Sequence, residues 1–158
     1  MANTASLCTS FLAELMTATH NFGVAPIRAA TTADTFKGAL YLASATYNAS
    51  TTAYSATGEV SGTNYTAGGV TVTNATVPAS TNTSATAGTA YWTPSASLTY
   101  TNVTLTTAFD TVLIYNSTQS NKAVGVFTFG SQTITAGTFT LTMPSNTTST
   151  ALLRLATT

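Results

Sequence analysis

Charged side chains are almost absent from this sequence. Four Lys or Arg and four Asp or Glu make up 5% of the chain, and the formal net charge is zero; a typical soluble domain is about one quarter charged. Phosphate backbones are bound by clustered Lys and Arg, so we predict no nucleic-acid partner. A surface with so little charge suits a subunit of a larger assembly, or an extracellular β-module, better than a free cytosolic monomer.

Reactive and metal-binding side chains are also scarce. The chain has one Cys and one His, whereas a zinc site needs three or four ligands and a serine triad needs a His beside a carboxylate. We expect His20 to lie at a helix end, as a dipole partner or a surface residue. The carboxylates are scattered along the chain: Glu14, Asp34, Glu59 and Asp110. We therefore predict a protein that is not an enzyme, with no catalytic residue, cofactor or metal.

Long apolar runs and a secretory leader are missing as well. The first residues, MANTASL, contain no basic residue, and no apolar core of a leader follows them. No run approaches the ~20 apolar residues that cross a bilayer. We expect synthesis in a cytoplasm without export by a signal peptide, and no membrane contact. Cys8 by itself cannot form an intrachain disulfide.

What the chain does contain is enough apolar and aromatic surface to fold. Hydrophobic residues make up 44%, including seven Phe, seven Tyr and one Trp, and 158 residues can bury a real core. Disordered chains instead combine high net charge with few aromatics. We predict a single β domain over residues 1–158, with a helix at 4–20 and strands within 34–155.

The helix prediction comes from the spacing of apolar residues near the start. Leu7, Phe11 and Leu15 recur every four residues, which is typical of one face of an α-helix. This stripe must be covered, either by the sheet of the same chain or by a neighbouring subunit.

Short β-rich runs separated by turn-formers fill the rest of the chain. The clearest segment is Asp110–Pro144, in which Val112–Tyr115, Ala123–Phe129 and Phe139–Met143 predict an antiparallel meander. Turn-forming clusters separate these runs at 116–121, 130–132 and 136–137. Residues 78–90 predict a long loop or hairpin tip. The whole pattern is mainly β and indicates an antiparallel β-sandwich or open barrel with one short N-terminal α-helix.

Two further features lie in the middle of the chain. Glu59–Gly69 reads EVSGTNYTAGG, and its glycines indicate positive φ, bulges or close backbone approach. Because charges are rare here, Glu59 is expected either to accept backbone N–H bonds at a turn or to form an ion pair between subunits. Tyr91 and Trp92 suit a sugar-binding face, a sandwich core or an interface.

Three segments together resemble a widespread family of small structural proteins of tailed bacteriophages. They are DTFKGALYL at Asp34–Leu42, EVSGTNYTAGG at Glu59–Gly69, and NKAVGVFTFGSQTITAGTFTLTMP at Asn121–Pro144. The resemblance implies a non-enzymatic virion component that is made in the host cytoplasm.

From this resemblance we expect a capsid decoration or cement protein that binds the outer surface of the major capsid shell and stabilises it. Its partners would be the major capsid protein and further copies of itself. The alternatives are a tail, neck or fibre component of the same virion, a carbohydrate-binding or adhesive β-module, and, more remotely, an ice-binding sheet of threonines. The candidate subunit or capsid contacts are Leu7, Phe11, Leu15, Glu59, Tyr65 and Trp92.

Overall fold

Antiparallel strands dominate the structure, which is a computed structural model. It describes residues 5–8, 11, 15, 19–20, 22, 33–73, 78–81 and 88–156. The strands in this part of the chain are β1 (Ala5–Leu7), β2 (Phe36–Leu42), β3 (Val70–Thr71), β4 (Ala79–Ser80), β5 (Thr89–Trp92), β6 (Leu98–Asn116), β7 (Lys122–Leu141) and β8 (Leu153–Ala156).

The strands form two open sheets in which every neighbouring pair is antiparallel. The larger sheet has the order β1-β7-β6-β2-β3, and the smaller has the order β4-β5-β8. The prediction of a mainly β, antiparallel fold is confirmed. Both faces of β2 are largely buried, so this strand lies in the interior.

The N-terminal segment differs from the predicted helix. Ala5–Leu7 is a strand that pairs with β7. Ala5 lies opposite Phe127, and Leu7 lies opposite Gly125. The helix prediction is therefore wrong at its start, because these residues give backbone partners to the open edge of β7. Phe11 and Leu15 do have helical backbone, while Cys8, Thr19 and His20 have no regular structure. The other positions of the predicted helix lie outside the described residues.

The predicted meander is one long hairpin instead. β6 and β7 contain 19 and 20 residues, and the chain turns between them only at 117–121. The clusters at 130–132 and 136–137 do not end a strand; the register between β6 and β7 shifts near them. Ala136 has a φ of 46° and Asn102 a φ of 52°. β-Bulges accommodate residues with positive φ, and they bend a pair of strands without ending their pairing.

The long hairpin folds back on itself. The ring centroids of Phe129 and Phe139 are 5.2 Å apart, although ten residues of a straight strand would span about 33 Å. Both rings also contact Phe109, at 5.9 and 5.2 Å. The two halves of the hairpin therefore face each other and enclose apolar side chains between them, as the layers of a sandwich do.

Gly38 marks the place where the folded-over half of the hairpin crosses β2. A Cβ at this position would overlap the side chain of Leu98, and the Tyr100 hydroxyl donates to the Gly38 carbonyl at 2.8 Å. β2 has no bulge at Gly38, since its register with β6 shifts only between Tyr41 and Leu42. A residue larger than glycine would not fit at position 38, because β6 packs on β2 there.

The smaller sheet consists of β4, β5 and β8. β8 lies within a few residues of the C-terminus, and β5 ends at Trp92. Of the two alternatives predicted for residues 78–90, the hairpin is confirmed and the long loop is wrong, since β4 and the start of β5 pair antiparallel within them. Residues 82–87 between these two strands lie outside the described residues.

Candidate functional sites

The carboxylate of Glu59 is the centre of a hydrogen-bonded cluster. Its Oε2 accepts from the Tyr54 hydroxyl at 2.6 Å, and its Oε1 accepts from the Tyr65 hydroxyl at 2.8 Å and the Gly68 N–H at 2.7 Å. The Glu59 backbone also bridges to Tyr41 in β2. Three donors thus compensate one of the few charges of this chain from within the chain itself.

Further tyrosines tie this cluster to the sheet. The Tyr65 hydroxyl accepts from the Leu40 N–H at 3.0 Å, and the Tyr115 hydroxyl donates to the Gly68 carbonyl at 2.9 Å. The rings stack in two pairs, Tyr54 on Tyr115 and Tyr65 on Tyr100, with centroids 4.7 and 6.0 Å apart. Glu59–Gly69, which we call the glycine segment, is thereby fixed against β2 and β6.

Burial changes the acidity of these hydroxyls. Loss of water raises the pKa of Tyr54, Tyr65 and Tyr100 well above the usual tyrosine range, and it also raises the pKa of Tyr115. The negative charge of Glu59 adds to the rise in all four. These hydroxyls are therefore donors at neutral pH, and the cluster positions a loop.

Backbone contact explains why the segment ends in glycine. Gly68 and Gly69 have φ values of 87° and 73°, a left-handed conformation that side chains disfavour. A Cβ on Gly69 would also overlap the carbonyl oxygen of Gly38. The predicted positive φ and close approach are both confirmed.

A second polar cluster is buried around Asn116. Its Oδ1 accepts from the N–H groups of Thr118 and Gln119, so its Nδ2 has to donate both hydrogens. One goes to Asp34 Oδ2 at 2.8 Å and the other faces His20 Nδ1 at 3.1 Å. Because an amide N–H has no lone pair, His20 Nδ1 is the acceptor in this contact. The expected surface position of His20 is wrong, because its side chain is buried; the helix end of the alternative dipole role lies outside the described residues.

An apolar groove of about 170 Å³ lies between the N-terminal segment and the smaller sheet. We call it the Trp92 groove. Trp92 is buried and packs on Phe22, with ring centroids 4.7 Å apart. Leu155 is 47% exposed. Among the described residues it is the only large hydrophobic side chain that is exposed to solvent. The lining residues are Phe11, Leu15, Phe22, Pro78, Ala90, Tyr91, Trp92, Leu153 and Leu155.

The candidate contact residues of the sequence separate into two groups. Phe11, Leu15 and Trp92 meet at the Trp92 groove, whereas Glu59 and Tyr65 are hydrogen-bonded to each other in the glycine segment. Leu7 lies in β1.

Sequence reasoning missed the contribution of β8 to the groove. Leu153 and Leu155 both line it. Their spacing of two residues, with Arg154 between them, was the available signal, since alternate residues of a strand share a face.

A second groove, of about 350 Å³, lies between the end of β7 and β8. Its lining is mostly apolar but includes one cation, Arg154. We call it the Arg154 groove. Local patterns do not predict it, because Phe127 of β7 joins the lining residues between 141 and 154 only in the folded chain.

Two further classes of site are absent from the described residues. No three His, Cys, Asp or Glu side chains among them lie close enough to hold a metal ion. Within the same residues, no helix is long and apolar enough to cross a membrane.

The chain matches no protein-family model, no curated protein and no solved structure. The resemblance to phage structural proteins stays a prediction. The three segments on which it rests contribute β2, the glycine segment and β7, with β6 between β2 and β7. Asp34–Leu42 contains β2, the glycine segment is bonded to it through the Val60 N–H and the Leu40 carbonyl at 3.0 Å, and Asn121–Pro144 contains β7.

Proposed function

We propose that the chain is a non-enzymatic structural protein of a phage virion, and that it decorates the capsid by binding the outer surface of the major capsid shell. The Trp92 groove is the observation that carries this proposal. Its lining is apolar and includes Leu155, which is 47% exposed; Phe11 and Trp92 also line it but are buried, so they support this surface from within. Exposed apolar surface of this kind is typical of protein interaction sites.

The composition supports the same function. A nearly uncharged chain forms contacts that depend little on salt. Many copies, each with modest contacts, attach durably to a repeated lattice and stabilise the folded shell by mass action. Nothing in this role needs a reactive group.

Binding to purified shells that lack this protein tests the proposal directly. We expect the wild-type chain to cosediment with shells, in copy numbers on the order of hundreds per particle, and to stay bound in about 0.5 M NaCl. A copy number of about six or twelve would place the chain in the tail or neck. Release at moderate salt would contradict an apolar interface.

A substitution in the rim of the groove identifies the surface used. Leu155→Ser removes apolar contact from a side chain that is already half exposed, so the fold should tolerate it. We expect shell affinity to fall about tenfold, which corresponds to a loss of about 1.4 kcal/mol. Thr138→Ser, on the exposed face of β7, is the matched control and should leave the affinity unchanged.

Two alternatives have less structural support. A sugar-binding face needs exposed aromatic rings, but Trp92 is only 3% exposed. An ice-binding face needs a flat sheet of threonines, and the long hairpin is bent.

A further inference from the structure

Arg154 is held in place at the rim of the Arg154 groove. It lies in β8, and its Nη1 donates to the Ser149 carbonyl at 2.6 Å. The remaining N–H groups of the guanidinium are available, and their planar arrangement matches a carboxylate. The side chain is exposed, so a partner can reach it.

The charge of Arg154 has no carboxylate partner within the described residues. Asp34 is bonded to Asn116 and Gln119, and Glu59 is bonded within the tyrosine cluster. Asp110 accepts from the neighbouring Thr111 hydroxyl at 2.8 Å. Within the part of the chain that the structure describes, no carboxylate therefore compensates Arg154, one of only four Lys and Arg residues, beside this apolar groove.

The groove is built from rigid parts. Apolar walls come from Phe127, Leu141, Met143 and Leu152. The turn that carries Ser149 is fixed by its own hydroxyls, because Thr150 Oγ1 donates to the Ser145 carbonyl at 2.8 Å and lies 2.6 Å from Thr147 Oγ1. The Met143 N–H donates to Ser97 Oγ at 3.2 Å, which ties the opposite wall to the start of β6. A preformed site of this kind loses little entropy on binding.

We propose that the Arg154 groove binds an acidic protein segment of the shell, in which a carboxylate side chain follows an apolar one. The apolar side chain fills the groove and the carboxylate pairs with Arg154. This inference rests on the proposed function, for which it names a partner chemistry. A second copy of this chain fits less well, since the carboxylates described in it are already engaged within the chain.

Such a pair would orient the chain on the shell more than it would strengthen binding. A partly buried Arg–carboxylate pair loses solvation as it gains attraction, but its two parallel hydrogen bonds fix direction. The Trp92 groove would then supply apolar affinity, and Arg154 would select which part of the shell is bound.

Shell binding by variants of Arg154 and Lys122 tests whether the groove recognises an acidic segment. We expect Arg154→Gln to weaken cosedimentation with shells by about tenfold or more, and Arg154→Lys to give an intermediate loss because Lys cannot form the bidentate pair. Lys122→Gln removes the same charge elsewhere and should bind as wild type does. Unfolding midpoints of all variants confirm that they are folded.

The outcomes separate the two proposals. If wild type fails to bind shells, the proposed function is wrong. If wild type binds and Arg154→Gln binds equally, the acidic-segment proposal is wrong while the function stands. A dimer in sedimentation that Arg154→Gln abolishes would also overturn it, because the occupant would then be a second copy.

A peptide titration tests the groove without shells. N-acetyl-Leu-Asp-amide should shift the NMR signals of the Arg154 Nε–H and the Leu152 amide, whereas N-acetyl-Leu-Asn-amide should not. Equal shifts with both peptides, or no shift with either, would refute recognition of a carboxylate.

Discussion

At the scale of single residues, Glu59 is the most informative position. A carboxylate is costly to remove from water unless donors replace the lost hydration, and here two tyrosine hydroxyls and one backbone N–H do so. Tyr65 is the link between this carboxylate and β2, since its hydroxyl donates to Glu59 and accepts from Leu40.

Tyr65→Phe should therefore destabilise the fold. The substitution removes one donor from Glu59 and leaves the Leu40 N–H unsatisfied, so we expect the free energy of unfolding to fall by about 1–3 kcal/mol. Urea denaturation measures this change.

Tyr91→Phe is the matched control. The Tyr91 side chain is half-buried, but none of the hydrogen bonds found among the described residues involves its hydroxyl. We expect a change within about 0.5 kcal/mol. Equal losses for the two variants would show that the Tyr65 hydroxyl stabilises nothing in particular.

At the scale of elements, the glycine segment and the long hairpin depend on close backbone contacts. Gly69→Ala forces a side chain into a left-handed conformation and against the Gly38 carbonyl. We expect a loss of at least about 2 kcal/mol in unfolding free energy, measured by thermal or urea denaturation.

Gly130→Ala provides the comparison for that substitution. Gly130 also lies next to a bend of the hairpin, but a Cβ there would meet no atom within 4 Å. We expect no loss of stability, and a gain of about 0.4–1 kcal/mol is reasonable because the unfolded chain loses freedom. A large loss at Gly130 would mean that the bend itself needs glycine.

The same elements show how far the sequence predicts this fold. Apolar and β-branched runs located parts of β6 and β7, and the glycines of Glu59–Gly69 predicted the positive φ of Gly69, because these features depend on local periodicity and local sterics. The path of β7 was not predictable in this way, since Gly130 and Gly137 look like turn residues whether a chain reverses or bulges. Only the contact between Phe129 and Phe139 distinguishes the two, and it depends on tertiary packing.

The candidate sites divide in the same manner. Phe11, Leu15 and Trp92 were identifiable as large apolar residues that need a covering surface. Arg154 was not, because its importance comes from a groove that forms only when the chain between residues 141 and 154 packs beside Phe127, and from the engagement of the described carboxylates elsewhere. Neither the groove nor the partners of the carboxylates can be deduced from the order of residues alone.

At the scale of the whole molecule, buried tyrosines make stability depend on alkaline pH. Burial raises the pKa of these five above the usual value: Tyr41, Tyr54, Tyr65, Tyr100 and Tyr115. The unfolded chain releases its phenolic protons near pH 10, and the folded chain releases them only at higher pH. Stability is therefore complete below about pH 10 and falls as pH rises above it.

Urea denaturation at three pH values measures this dependence. We expect the urea midpoint to be similar at about pH 8 and pH 9 and to fall clearly by about pH 11. Tyrosinate absorbance should show the buried phenols ionising together with unfolding. Ionisation of all seven tyrosines near pH 10 in a chain that stays folded would contradict the raised pKa values.

The position of Trp92 gives the molecule its own optical probe. It is the single tryptophan, and it lines the Trp92 groove but not the Arg154 groove. Its fluorescence should therefore change when a partner covers Leu155 and stay constant when a short acidic peptide fills the other groove. One emission spectrum can thus distinguish which of the two surfaces is occupied, without any label.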